Sequence, residues 1–335
     1  MEQEAVKKVI EENYPIRVIE VVKLKNIYKV ICPNEQYCLK TIKYNFGHFF
    51  FIISAMKHLY ENNFEGSIPI IKTIANKDYI EIKSCFAYLI PWKEARIGNY
   101  DNILDIISAA EVLAKLHIKS RGFKVTENMN PRIGWFKWIE TFRTRKDEIL
   151  DFKKRILDKD IKSEFDYMYL VEIEQEVLRA ERAISNLLSS EYVQIMEKHI
   201  KTNGFCHHDF AHHNLLFADK KIYVIDFDYC ILDTHLHDLA SLILRSLKNG
   251  RWNIKGAEMI LNKYSSINEV EEEEIPVIAA FMEFPQDFWQ VGIQYYWEKH
   301  PWGEEFFINK LSKILDDRED KQEFVGELRK YKMGG

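Results

Sequence analysis

The chain has 335 residues, 47% of them hydrophobic, with only 13 glycines and 8 prolines; that is enough apolar side chain for a sizeable core and excludes a chain disordered throughout. Lysine and arginine (47) nearly balance aspartate and glutamate (52), and the formal net charge of -5 carries no nucleic-acid footprint, so no nucleic-acid partner is expected. The longest apolar runs, 49–53 and 86–92, are too short for a bilayer and the opening Met1-Glu2-Gln3-Glu4 lacks the basic, then apolar, pattern of a signal peptide, so the expectation is a cytoplasmic protein without membrane contact.

Up to about residue 92 the texture is β-rich. Residues 16–24, 27–31 and 37–42 predict three strands joined by polar turns at Lys25-Asn26 and Pro33-Asn34. A helix is predicted over 49–60, then strands over 68–74 and 79–82, then the apolar run 86–92 that ends in Pro91-Trp92. Lys40 closes the third strand, where a lone lysine would ordinarily be a solvated side chain. Beyond residue 92 the chain turns helical. Ile106, Ala110, Leu113 and His117 share one helical face, with His117 read as a packing residue, and 135–149 and 167–188 are amphipathic and rich in charge. Five cysteines, Cys32, Cys38, Cys85, Cys206 and Cys230, are odd in number and without C-x-x-C spacing, and read as reduced core thiols.

The segment His207-His208-Asp209-Phe210-Ala211-His212-His213-Asn214, followed by Ile225-Asp226-Phe227-Asp228, has the form H-x-D-x-x-x-x-N and then an Asp at a strand end. Phosphoryl transfer asks a protein for little covalent chemistry: it must orient a hydroxyl and neutralise phosphate charge, usually with Mg²⁺ on oxygen ligands. In that scheme Asp209 accepts the hydroxyl proton, while Asn214 and Asp226 hold the metal. Two short strands, 215–217 and 222–225, with a polar turn over 218–221, bring Asn214 and Asp226 side by side. Asp228, two residues along an extended strand, faces the same way as Asp226 and is a further metal-ligand candidate.

Residues 205–242 resemble the catalytic core of the aminoglycoside phosphotransferase and choline kinase superfamily, whose members share the protein kinase fold. The wording C-H-x-D-F-x-x-x-N-L-L, then V-I-D-F-D-Y-C, then D-L-A is closer still to the CotS-type spore coat proteins of endospore-forming bacteria. The resemblance implies an α+β, bilobal protein-kinase-like fold, with a β-rich nucleotide-binding lobe over 1–91 and a mainly helical lobe over 92–335 that carries the catalytic loop and acceptor site. It implies ATP and Mg²⁺ as cofactors. Lys40 would contact the α and β phosphates, Ile90 and Trp92 would lie at the adenine-binding hinge, His207 would support the loop and position Asp209, and Asp238 would brace the loop backbone from the start of a helix.

The implied reaction is transfer of the γ-phosphoryl group to a small-molecule hydroxyl, since no APE-like segment follows Asp226. Two features depart from the pattern. Residues 21–31 contain no glycine, and the helix 49–60 has no glutamate to pair with Lys40, Glu61 standing at its far end. The alternative expectation is therefore a weakly active or inactive kinase-like component of the spore coat, held by contacts with other coat proteins.

Histidine density raises a rival. His235-Leu236-His237-Asp238 approaches the H-x-H-x-D-H signature of binuclear zinc hydrolases but lacks the spacer before Asp238 and has Leu239 in place of the last histidine. His208, His212 and His213 read as loop side chains. Phe281, Phe284, Phe288 and Tyr295 follow helical spacing and read as core; beside them, Trp289 with Glu283 or Asp287 offers a cationic-acceptor site. The acidic run 271–274 reads as a solvated helix face.

Overall fold

The computed structural model describes residues 3–82, 85–218 and 220–333, which divide into two compact units. The first comprises Met1–Asn99, Lys115–Ile133 and Asn203–Leu232; the second comprises Tyr100–Ala114, Gly134–Thr202 and Asp233–Gly335.

In the first unit, helix α1 (Gln3–Asn13) lays Val6 and Ile10 into a core shared with a five-stranded antiparallel sheet. The sheet order is β1 (Glu20–Leu24), β2 (Ile27–Ile31), β3 (Gln36–Ile42), β5 (Cys85–Pro91) and β4 (Ile80–Ile82). Alternation buries Tyr37 and Leu39 of β3 in the core on one face and leaves Cys38, Lys40 and Ile42 on the other; in this register Lys40 stands opposite Ile27 on one side and Tyr88 on the other. Between β3 and β4 runs α2 (Phe46–Glu61), started by Asn45, whose side chain accepts the His48 N–H at 3.0 Å. It is apolar over most of its circumference and correspondingly buried. A second sheet pairs β6 (Arg96–Ile97) with β7 (Leu215–Ala218) and β7 with β8 (Lys221–Val224).

Three expectations change. The strand predicted from residue 16 begins at Glu20. The strand predicted over 68–74 reduces to one bridge, Ile71 to Leu89, because Thr73 folds back: its N–H reaches the Lys77 carbonyl at 2.9 Å and its hydroxyl accepts the Lys77 N–H at 3.0 Å. The short β6 was not anticipated. The turn predicted over 218–221 includes Asp219, which lies outside the described residues.

Helix α3 (Ile103–Ser120) begins in the second unit and ends in the first. The rest of the second unit is helical: α4 (Trp138–Leu157), α5 (Glu164–Ser189), α6 (Tyr192–Ile200), α7 (Leu236–Leu247), α8 (Ile254–Ser265), α9 (Glu274–Glu283), α10 (Gln286–Gly292) continuing as a π-helical turn to Trp297, α11 (Glu304–Asp316) and α12 (Arg318–Leu328). The aromatic stripe is core: Phe288 stacks on Tyr169 with centroids 4.1 Å apart, and Phe284 on Phe142 at 4.2 Å. The acidic run differs from its reading at one end. Glu274 is buried, while Glu272 and Glu273 are exposed.

Ser163 and Asp166 close a capping box on α5, and Asp166 also binds Lys159 Nζ at 2.7 Å and the Tyr296 hydroxyl at 3.1 Å. Burial works to raise the Asp166 pKa, but Lys159, the Ser163 N–H and Tyr296 together hold it below the usual carboxylate range. A depressed folded-state pKa contributes stability that is present above the unfolded value of about 3.9 and is lost as pH falls through the folded one. Asp166→Asn is therefore expected to lower unfolding free energy at pH 7 by about 1–3 kcal/mol and to flatten the loss of stability between pH 5 and pH 2. Urea titrations across that range measure both; an unchanged acid slope would exclude Asp166 as its source.

Candidate active site

The H-x-D loop is anchored at its start by a two-way bridge, Cys206 N–H to the Ile231 carbonyl at 2.8 Å and Ile231 N–H to the Cys206 carbonyl at 3.1 Å. His207 follows, fully buried. Its Nδ1 accepts the Asp209 N–H at 3.3 Å, so Nε2 carries the proton and donates to the Ile225 carbonyl at 2.9 Å. One imidazole thus ties the loop bearing Asp209 to the residue that precedes Asp226, with the Phe227 ring against it at 4.7 Å.

Asn214 closes the loop in a 3₁₀ turn. Its Nδ2 donates to the Asp209 carbonyl at 2.9 Å and to Asp209 Oδ2 at 3.2 Å, while its own carbonyl accepts the Ile225 N–H at 3.0 Å. Asp209, Asn214 and Asp226 are therefore linked through adjacent main chain, as the hairpin spacing predicts. Asp226 itself adopts φ 66°, ψ 63°, a left-handed conformation that costs a non-glycine residue roughly 1–2 kcal/mol and turns the chain sharply out of β8. His208 has φ 68° as well; His212 and His213 are exposed.

Lys40 reaches this segment directly. Its Nζ lies 2.6 Å from Asp226 Oδ1 and 2.7 Å from Asp228 Oδ1. Burial disfavours the ammonium, but Tyr88 and the two carboxylates hold its pKa well above the ordinary lysine value. Of those three only the carboxylates carry charge near neutrality, because burial pushes the Tyr88 phenol far up. Burial likewise raises Asp228, with Lys40 opposing and Asp226 adding to the rise. No carboxylate of α2 joins them: the helix turns Met56 and Leu59 toward the lysine, and Glu61 is exposed.

Lys40 and Asp226 line a cleft of about 370 Å³ whose apolar walls include Ile27 and Cys38 from the sheet and Leu216 and Ile225 from the second hairpin. Ile90 and Trp92 line it too. The Trp92 N–H, however, is bonded to the Gln36 carbonyl at 2.8 Å. Antiparallel pairing alternates, so the next paired residues, Ile90 and Cys38, also direct their main-chain groups at each other. Pro91, at the intervening position, directs its carbonyl the other way. The Trp92 ring is fixed by its Nε1–H to Glu94 at 2.9 Å and by Lys29 Nζ 4.5 Å over its face. Between β1 and β2 the chain turns on Lys25-Asn26 alone, with Lys25 at φ 49°.

Sequence reasoning missed Tyr88, Met56 and Leu59, and the orientation of the main chain at 90–93. Strand alternation would have supplied Tyr88 once its pairing with Lys40 was known. His48 was missed as well; it is buried, and burial followed by the Arg132 guanidinium pushes its pKa down. Asp238 lies fully buried in the first turn of α7, where a carboxylate favours the helix dipole. The cationic-acceptor reading is replaced by internal pairing. Arg145 sits 4.4 Å over the Trp289 ring, whose Nε1 donates to Glu148, and Glu283 binds Arg329 at 2.7 Å.

A five-stranded antiparallel sheet bearing the lysine, a helix after its third strand, an H-x-D loop and a hairpin leading to an acidic turn define a protein-kinase-like protein. Residues 7–328 match the family described as "Spore coat putative kinase YutH", and the chain belongs to it. Spore coat protein S of Bacillus subtilis (strain 168) is 23% identical over 214 residues, 63% of this chain and 61% of that protein, under two thirds of its length. Among solved structures, an aminoglycoside phosphotransferase from Alicyclobacillus acidocaldarius superimposes with a TM-score of 0.83 at 19% identity, over 96% of this chain and 95% of the other. A spectinomycin phosphotransferase, solved with ADP and spectinomycin, gives 0.68 at 14% identity over 99% of each. At these identities the likeness establishes the kinase-like fold.

Removing the ammonium isolates its role. Lys40→Ala leaves Asp226 and the half-buried Asp228 uncompensated and should cost about 1–3 kcal/mol, less than a fully buried pair because Asp226 is partly solvated. Millimolar Mg²⁺ should restore part of the lost thermal midpoint and raise the variant's midpoint more than the parent's. Equal stability of the two proteins without Mg²⁺ would contradict an internal counter-ion.

Proposed function

We propose that this protein is a phosphotransferase that uses Mg-ATP to phosphorylate a hydroxyl of a small molecule in association with the spore coat. The observation that carries the reading is the Lys40 ammonium meeting the Asp226 and Asp228 carboxylates at the wall of an apolar cleft. Asp209, oriented through His207 and Asn214, is the group that accepts the hydroxyl proton. Asp226, Asp228 and the amide oxygen of Asn214 form an all-oxygen donor set, which suits a hard divalent cation; Asn214 turns its NH₂ to Asp209, leaving the oxygen as the ligand atom. When bound, Mg²⁺ supplies neutralisation of phosphate charge. Lys40 steadies the phosphates, and Asp228 orients it in place of the absent helix glutamate. Pro91 C=O and Lys93 N–H provide one acceptor and one donor for an adenine edge, with the side chains of Ile90 and Trp92 enclosing the ring.

The division into a nucleotide-binding lobe over 1–91 and a helical, acceptor-binding lobe over 92–335 belongs to the same proposal. A small acceptor is favoured because α7 starts at Leu236, soon after Asp226, and leaves little chain for a protein-substrate platform. Among the described residues, no helix is long and apolar enough to cross a membrane.

A second reading has its own support. The glycine-free, two-residue turn at Lys25-Asn26 brings few main-chain amides to the phosphates, which favours a catalytically weak or inactive kinase-like structural component of the coat, alongside other coat proteins. Calorimetry with Mg-ATP, followed by ADP release assays with amino-sugar and amino-alcohol acceptors, separates the two. Catalysis predicts binding that Asp226→Asn abolishes, and turnover that Asp209→Asn lowers by about 10²–10⁴-fold while binding persists. Binding without ADP release refutes catalysis and leaves a coat component that still senses nucleotide. Absence of binding refutes the phosphotransferase reading and supports the structural one.

A further inference from the structure

We infer a transition-metal site in the helical unit, formed by His199, His235 and Glu274 and separate from the phosphate-binding residues. The three come from the last turn of α6, the residue before α7 and the first turn of α9. Glu274 Oε1 lies 2.8 Å from His199 Nε2 and 3.8 Å from His235 Nε2, and the three ligand atoms all lie within 4.8 Å of one another.

Ligands bound to Zn²⁺ at about 2.0–2.1 Å stand roughly 3.3 Å apart in a tetrahedron, and the two observed separations straddle that value. A His–Glu hydrogen bond alone accounts for the 2.8 Å contact. It does not account for a second imidazole nitrogen facing the same oxygen at a distance too long for such a bond. A cation at the centroid, displacing the proton between His199 and Glu274, satisfies all three at once.

The far atoms are held as metal ligands usually are. His199 Nδ1 is 2.8 Å from Thr234 Oγ1, and Glu274 Oε2 accepts the Glu271 N–H at 2.9 Å. Glu274, His199 and Thr234 are buried, and His235 is mostly so, which keeps water from competing for the ligand atoms. Two imidazoles and one carboxylate select Zn²⁺ or a neighbouring transition metal over Mg²⁺. The bound ion would fasten α6, α7 and α9 to one another.

The test uses the full chain carrying Asp226→Asn, so that the phosphate site contributes no metal, stripped with chelator and titrated with Zn²⁺ and with Co²⁺. One equivalent of Zn²⁺ should bind and raise the thermal midpoint, and Co²⁺ should produce the visible bands of a tetrahedral ion. His235→Ala and Glu274→Gln should weaken binding by more than the roughly 10–100-fold that losing an outer-shell partner costs. Because Glu274 is buried and its variant could fail to fold, the imidazole proton resonances of His199 and His235 in the unmutated site give an independent readout and should shift together on Zn²⁺ addition. Binding below one equivalent, binding indifferent to both variants, or unmoved His199 and His235 resonances would overturn the proposal.

Discussion

The Lys40 ammonium between two carboxylates is the interaction on which the candidate site depends. Asp226 and Asp228 belong to one short turn, and two like charges that close in a half-buried place oppose each other's ionisation. A cation must accompany them, and the chain supplies it from a strand 186 residues earlier. That requirement couples distant choices. The register that sets Lys40 opposite Tyr88 also sets Cys38 opposite Ile90, so that side chains of both strands line the same cleft.

His207 plays the corresponding part on the other side. A single imidazole satisfies an N–H of the H-x-D loop and a carbonyl at the end of β8, so the spacing between Asp209 and Asp226 is held by two hydrogen bonds inside the core rather than by loop stiffness. Burial keeps water from competing. Strain at Asp226 and His208, each with a left-handed backbone, is sustained by these contacts and marks the segment as built for geometry rather than for stability.

What the sequence made legible was local. H-x-D-x-x-x-x-N and the following D-F-D could be read because their polar residues are crowded into short segments where spacing alone defines geometry. The strands over 27–31 and 37–42 and the helix α2 followed from periodicity. Illegible features were those decided by a partner far along the chain. Residues 68–74 have strand composition, yet Thr73 binds Lys77 and the segment yields one bridge. The main-chain environment of Trp92 was equally hidden, because its N–H meets the Gln36 carbonyl on a distant strand. Trp289 beside acidic residues suggested a receptor for a cation, and nothing nearby in sequence reveals that Arg145, more than a hundred positions earlier, covers its face. His199, His235 and Glu274 share no motif at all.

On the proposed reaction, the missing helix glutamate changes how the site is charged rather than merely weakening it. A glutamate on α2 would hold Lys40 from behind and leave Asp226 available to a metal at all times. In the proposed site Asp226 and Asp228 would hold the divalent cation, which would supply charge neutralisation, and the Lys40 ammonium that now rests on both carboxylates would be available to phosphate oxygens. Metal and nucleotide binding would then be linked with positive sign, and linkage is reciprocal: whatever factor the metal added to nucleotide affinity, nucleotide would add to metal affinity. As it stands, the site's charges are mutually satisfied by Lys40. On the proposed reaction, exchange of counter-ions at Lys40 would offset in part a turn with no glycine, whose main-chain amides cannot wrap the phosphates.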